Sequence, residues 1–129
     1  MTLLGGRPIS QSTRATFAAV MALFALQWLW HGALFPASAT AWYWLAIVFS
    51  LPLAMLALAL WQRRASARFW SGVIALLYFC HGVTEAWTLE SARSLGLAEA
   101  GLSVTIILAS NWDGLAARFT RRGPAPPNV

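Results

Sequence analysis

Four apolar stretches fill most of this chain, roughly residues 15–35, 41–61, 69–88 and 95–112. Each is close to the ~20 residues that a helix rising ~1.5 Å per residue needs to cross ~30 Å of hydrocarbon. A soluble chain of 129 residues can bury one modest core, but it cannot hide four such segments from water. Charged residues make up only 10% of the sequence, and its mean hydropathy is +0.62, so most of it is matched to lipid. The predicted fold class is all-α: a polytopic membrane protein whose four transmembrane helices form an up-down bundle, since short connections make successive helices antiparallel neighbours. A tail, 1–14, precedes the transmembrane domain, 15–112, and a second tail, 113–129, follows it.

All nine basic residues are arginine. A balance this basic also marks nucleic-acid binders, but here the charge sits in short loops and tails beside apolar spans, where it sets orientation. The expected partners are therefore the lipid bilayer and a second copy or another membrane protein, with no nucleic acid. Arg7 and Arg14 precede the first span, Arg63, Arg64 and Arg68 separate the second and third, and Arg118, Arg121 and Arg122 follow the fourth. On the other side stands Arg93 alone, beside Glu90. The positive-inside rule then places both termini in the cytoplasm. Trp42, Trp44 and Trp87 mark the outer boundary and Trp61, Trp70 and Trp112 the inner one, where amphipathic rings are favoured. Arg63–Arg68 reads as a topology signal that meets anionic head groups.

A cleaved signal peptide is the competing account of the first span, with Arg14 as its charged region and Ala37-Ser38-Ala39 as its cleavage site. The apolar stretch is longer than the usual ~7–15 residues of such a region and carries Gln27 and His31, which favours a retained anchor. Pro52 should kink the second span, with Ser50 available to satisfy a freed backbone group. Gly96, Ala98, Ala100, Gly101 and Ser103 give the fourth span a small-residue surface for close helix approach. Asn111-Trp112-Asp113 reads as the boundary that ends it. The lone Cys80 excludes an internal disulfide and, lying mid-span, reads as a buried inert thiol. A faint repeat at an offset of 50 residues sets His31 and Gly32 over His81 and Gly82, and Ala25-Leu26 over Ala75-Leu76.

The polar residues within the spans carry the chemical information. Gln27 and His31 are one helical turn apart on the first span; His81 and Glu85 repeat that spacing on the third, with Tyr78 a turn below and Thr84 alongside. Glu99 lies on the fourth span, with Ser103 a turn further on. Counted from the span ends, His31, His81, Glu85 and Glu99 share the outer half of the bilayer. A carboxylate there costs up to ~2.5–3.5 kcal/mol unless it faces the bundle and finds partners.

Four readings of this cluster stay open. It can be a satisfied polar clasp fixing helix register. The two histidines can be axial ligands of a b-type haem between the first and third spans, with Gly32 and Gly82 permitting close approach. His31, His81, Glu85 and Glu99 can form a metal site for zinc or a similar cation. Or the set can relay protons or a small solute. The residues fix neither the cofactor nor the metal. No nucleotide-binding loop, zinc-protease motif or nucleophile–base pair is visible, so nothing marks the chain as an enzyme.

The segments Gln27-Trp28-Leu29-Trp30-His31-Gly32 and Tyr78-Phe79-Cys80-His81-Gly82-Val83-Thr84-Glu85-Ala86-Trp87 resemble a known family. They are similar to the small proteobacterial inner-membrane proteins grouped as domain of unknown function 2069. The resemblance covers about Thr16 to Phe119. It implies a four-span, multi-pass protein of the bacterial inner (cytoplasmic) membrane and brings no activity, cofactor or partner. The leading expectation is a non-enzymatic accessory or structural membrane component. The alternative is a membrane protein that binds haem, metal or another ligand at the His/Glu cluster, or provides a small-solute or proton pathway.

Overall fold

The computed structural model describes residues 10–34 and 42–120. The first loop with Ala37-Ser38-Ala39, the Trp42 side chain, and the tails bearing Arg7, Arg121 and Arg122 lie outside the described residues. Four helices make up what is described. α1 spans Gln11–Trp28 and continues as a π-helical segment, Leu29–Leu34. α2 spans Trp42–Trp61, α3 Ala67–Thr88 and, after a single 3₁₀ turn at Glu90–Ala92, α4 spans Arg93–Thr120.

α1, α3 and α4 start before their apolar stretches, and α4 also ends after its own, because local hydrogen bonding as well as hydropathy sets helix ends. α1 starts at a Ser10 cap, whose hydroxyl accepts from the Thr13 amide at 3.3 Å. α2 closes with the Arg64 amide on the Ala59 carbonyl (3.0 Å) and the Arg63 amide on Leu60 (3.1 Å). This is a Schellman closure in which Arg63, at φ 55°, takes the left-handed position that glycine favours. α4 passes straight through Asn111-Trp112-Asp113 to Thr120, so that triplet does not end the helix.

Gln11–Leu34, Tyr43–Trp61 and Glu90–Thr120 are long and apolar enough to cross a membrane. α3 has the length, with 22 residues; Arg68, His81 and Glu85 lower its hydropathy. Helix contacts join α1 to α2 and α4, and α3 to α4 and α2, as in an up-down bundle. The α3–α4 contact is the most extensive and the α2–α3 contact the slightest of these four.

Burial follows the logic of a bilayer. Leu51, Met55, Leu58, Phe69, Leu76, Leu77 and Leu97 point outward, whereas Thr16, Gln27, Ser71, Glu99 and Ser103 are fully enclosed. Lipid tails are as apolar as leucine, so large apolar side chains divide between the two: Leu23, Leu53, Leu60 and Ile106 form the core, and small residues occupy the points where backbones meet. The buried hydroxyls of Thr16, Ser71 and Ser103 donate to carbonyls one turn back, each at 2.8 Å. On α3 the enclosed stripe is Ala67, Ser71, Ala75, Tyr78, Gly82 and Ala86. Cys80 falls between two rungs of that stripe and is exposed, not buried.

The tightest point is the crossing of Gly82 and Gly96. A Cβ on Gly82 would lie 2.6 Å from the Gly96 carbonyl oxygen, and one on Gly96 would lie 2.5 Å from that of Gly82. The small-residue face of α4 is therefore Gly96, Ala100 and Ser103. Ala98 is exposed and Gly101 opens onto empty space, so neither belongs to it. The 50-residue repeat finds no counterpart in packing: Ala25 is exposed where Ala75 is buried.

Candidate functional site

Helix register brings three of the sequence-selected polar residues to one point. The Gly82–Gly96 contact fixes how closely α3 approaches α4, and His81 and Glu99 flank it. His81 Nδ1 lies 2.9 Å from Glu99 Oε2, while Gln27 Nε2 donates to Glu99 Oε1 at 2.7 Å. Glu99 is completely enclosed, and each of its oxygens is held by a different helix, α1 and α3. A carboxyl group in apolar surroundings is tolerable only when its oxygens are satisfied in this way.

Aromatic rings wall the clasp on its α2 side. His31 stacks on Phe49 with centroids 5.0 Å apart, and His81 lies against the same ring at 4.8 Å. Trp30 approaches His81 at 5.7 Å. The π-helical segment matters here, because the wider turn separates His31 from the direction of Gln27. Gln27 meets α4, whereas His31 turns to α2 and leaves its buried Nε2 without a partner.

Glu85 is half-buried a turn beyond His81 and makes no hydrogen bond among the described residues. At that level α4 packs Gly96 against α3, and Arg93 spends its Nε on the Ala86 carbonyl at 3.3 Å. Among the described residues, no three of His, Cys, Asp and Glu are placed to hold a metal ion. The convergence of His31, His81, Glu85 and Glu99 on one cation is therefore not what the fold builds. Phe49 is in contact with both imidazoles, at 5.0 and 4.8 Å between ring centroids.

Tyr78 has a different task from the one its spacing implied. Pro52 lacks an amide proton and opens α2 at the preceding turn. The Tyr78 hydroxyl donates to the Phe49 carbonyl, the neighbour of the Val48 carbonyl that the missing Pro52 amide would otherwise serve. Ser50, expected to serve the freed backbone, instead has a buried hydroxyl with no partner.

A second tie lies at the opposite end of the bundle. Arg68 Nη1 pairs with Asp113 Oδ2 at 2.5 Å, and Arg68 Nε donates to the Ser110 carbonyl at 3.0 Å. Ser12 Oγ donates to Asp113 at 3.1 and 3.2 Å. Asp113 thus joins α1, α3 and α4, as Glu99 does about four turns (~21 Å) away along the same helix. Arg68 is accordingly a bundle residue, besides whatever it adds to topology. Sequence reading missed this tie because its members border the spans and resemble ordinary boundary charges. The signal was available: Asp113 follows Glu99 by a whole number of heptads, so the two acids share a face.

No curated protein and no solved structure matches the chain. A family model described as predicted membrane protein (DUF2069) matches residues 15–118, all four helices apart from their outermost turns. The chain belongs to this membrane-protein family.

Proposed function

We propose that this protein is a non-enzymatic accessory or structural component of the bacterial inner membrane, multi-pass, with both termini in the cytoplasm. It works as a subunit of a larger membrane assembly or as a homo-oligomer, with the bilayer as its constant partner and no role for nucleic acid. The single observation that supports this reading is the saturation of Glu99. Both oxygens of an enclosed acid are spent on Gln27 and His81, which locks three helices and leaves that group none to offer a substrate. A pathway for protons or solute would want Glu99 beside water, and it is fully enclosed. The orientation rests on the eight-to-one distribution of arginine.

The test pairs Glu99→Ala with Glu99→Gln in protein purified in mild detergent. Alanine removes two interhelical hydrogen bonds and should cost about 1–3 kcal/mol in reversible unfolding, at the modest worth such bonds have in membrane bundles. Glutamine retains an acceptor for Gln27 and supplies an amide donor to His81, so it should keep most of that stability. Absorption spectra and metal analysis of the same samples complete the test. A stoichiometric ion or chromophore, lost with His81→Ala, would overturn the structural reading.

A further inference from the structure

The clasp uses only one edge of the His81 ring. Nε2, on the other edge, makes no hydrogen bond, yet it is absent from the enclosed atoms that lack a partner. It is therefore reachable from outside, on a side chain that is 24% exposed. The same side chain lines a cleft of about 190 Å³ between α2 and α3, together with Val48, Phe49, Pro52, Leu77 and Tyr78. Pro52 also borders a second cleft of about 420 Å³, which follows the same seam past Leu51, Met55 and Ile74. The seam is where the two helices pack least. Its walls are apolar apart from His81 at one end and Arg64 and Ser66 at the other.

We infer that the α2–α3 seam is a binding site, entered sideways from the lipid, for a quinone-type molecule: an uncharged planar carbonyl head on an apolar chain, the carbonyl oxygen accepting from His81 Nε2. This goes beyond the structural reading and rests on the clasp only for the direction of the imidazole. Three features select that chemistry. First, Glu99 is enclosed and His81 borders lipid, a low-dielectric setting that favours net neutrality, so the two together carry one acidic proton on the 2.9 Å bond. Whether that proton sits nearer oxygen or nitrogen, Nε2 then bears a hydrogen and acts as a donor. The partner it calls for is an acceptor. Second, Val48, Phe49, Pro52 and Leu77 give the cleft beside the imidazole an apolar lining that suits an uncharged ring. Third, His81 lies seven residues before Thr88, about 10 Å along α3 from its end. A phospholipid's ester carbonyls and phosphate would have to leave the interface to reach that depth. An uncharged ring dissolved in the hydrocarbon would not. The larger cleft then takes the chain.

The test uses the full-length protein in nanodiscs and a decyl-chained benzoquinone bearing an azido group for photolabelling. The label should map to 48–52 and 74–81 and be competed by unlabelled decylbenzoquinone. The corresponding dimethoxybenzene, which has the chain and ring but no carbonyl, should compete about tenfold less well, as expected for one lost hydrogen bond. Leu77→Trp and Val48→Trp fill the cleft from opposite walls without touching the clasp, and each should reduce labelling about tenfold with an unchanged unfolding midpoint. His81→Phe should do the same, with a lowered midpoint. Labelling spread over the whole lipid-facing surface would overturn the inference, as would labelling indifferent to both tryptophan variants. So would equal competition by the carbonyl-free analogue, or by added phosphatidylglycerol. A failed Glu99→Ala stability test alongside intact site labelling would count against the structural role alone.

Discussion

α3 meets its two neighbours in opposite ways. Against α4 it presents glycine to glycine and a hydrogen-bonded tie at either end of the contact. Against α2 it presents a tyrosine hydroxyl to one carbonyl, and beyond that a pair of clefts. The contrast shows where specificity comes from when lipid is the solvent. With no gain from moving leucine out of lipid, helices stay together where backbones approach closely or where a polar group has nowhere else to bond. α1, α3 and α4 have both; α2 is held by Phe49 against the two imidazoles and by Leu53, Leu56 and Leu60 in the apolar core, with no glycine crossing and no buried acid. The molecule is thus a doubly tied trio with a more loosely held fourth helix.

The largest test of that contrast compares two glycines on one helix. Gly96→Ala places a methyl group 2.5 Å from a backbone oxygen and 2.8 Å from the Ala86 nitrogen, neither of which can rotate away. The helices must separate, at a cost of about 2–3 kcal/mol or more for overpacking and the strained clasp. Gly101→Ala meets nothing within 4 Å and should be neutral or slightly stabilising, because alanine is the better helix former. Unfolding midpoints in one detergent read both. Equal effects would show that the crossing is not what holds α3 to α4.

On the loose side, Tyr78→Phe keeps the ring that fills the seam and removes only the donor to the Phe49 carbonyl. The expected loss is about 1 kcal/mol. Hydrogen exchange at the amides of α2 should accelerate while those of α3 and α4 do not. Uniform acceleration would mean that α2 is as firmly coupled as the rest, and the trio would be no unit.

The sequence makes the spans and their order legible, because a bilayer imposes length and hydropathy directly on the residues. It also makes His81 and Glu99 legible as neighbours, since counting from span ends fixes depth, whereas Gln27 is marked only by its place a turn from His31. What it does not convey is direction around each helix once regularity fails. The π-helical segment turns His31 away from Gln27's partner, and no composition rule announces it. Glu85 shares a face with His81, but Gly96 packs at its level and Arg93 bonds the Ala86 carbonyl instead. Ser12, Arg68 and Asp113 looked like boundary residues because charge at a span end has a simpler explanation in topology. Their convergence depends on α4 continuing past Trp112, which hydropathy cannot indicate.

Ser50 gives the smallest effect and the finest test of the loose side. Its hydroxyl is enclosed, on the turn that Pro52 opens, and has no partner there. Had it served the freed backbone, Ser50→Ala would cost about 1 kcal/mol, as for other lost hydrogen bonds. Without a partner among the described residues, the hydroxyl contributes only its own desolvation, and alanine should be neutral or stabilising by up to ~1 kcal/mol. Combining Ser50→Ala with Tyr78→Phe sharpens this point. If Tyr78 alone satisfies the turn, the two changes add; if serine takes over when the phenol is lost, the double variant falls further than the sum, and the two side chains share one task.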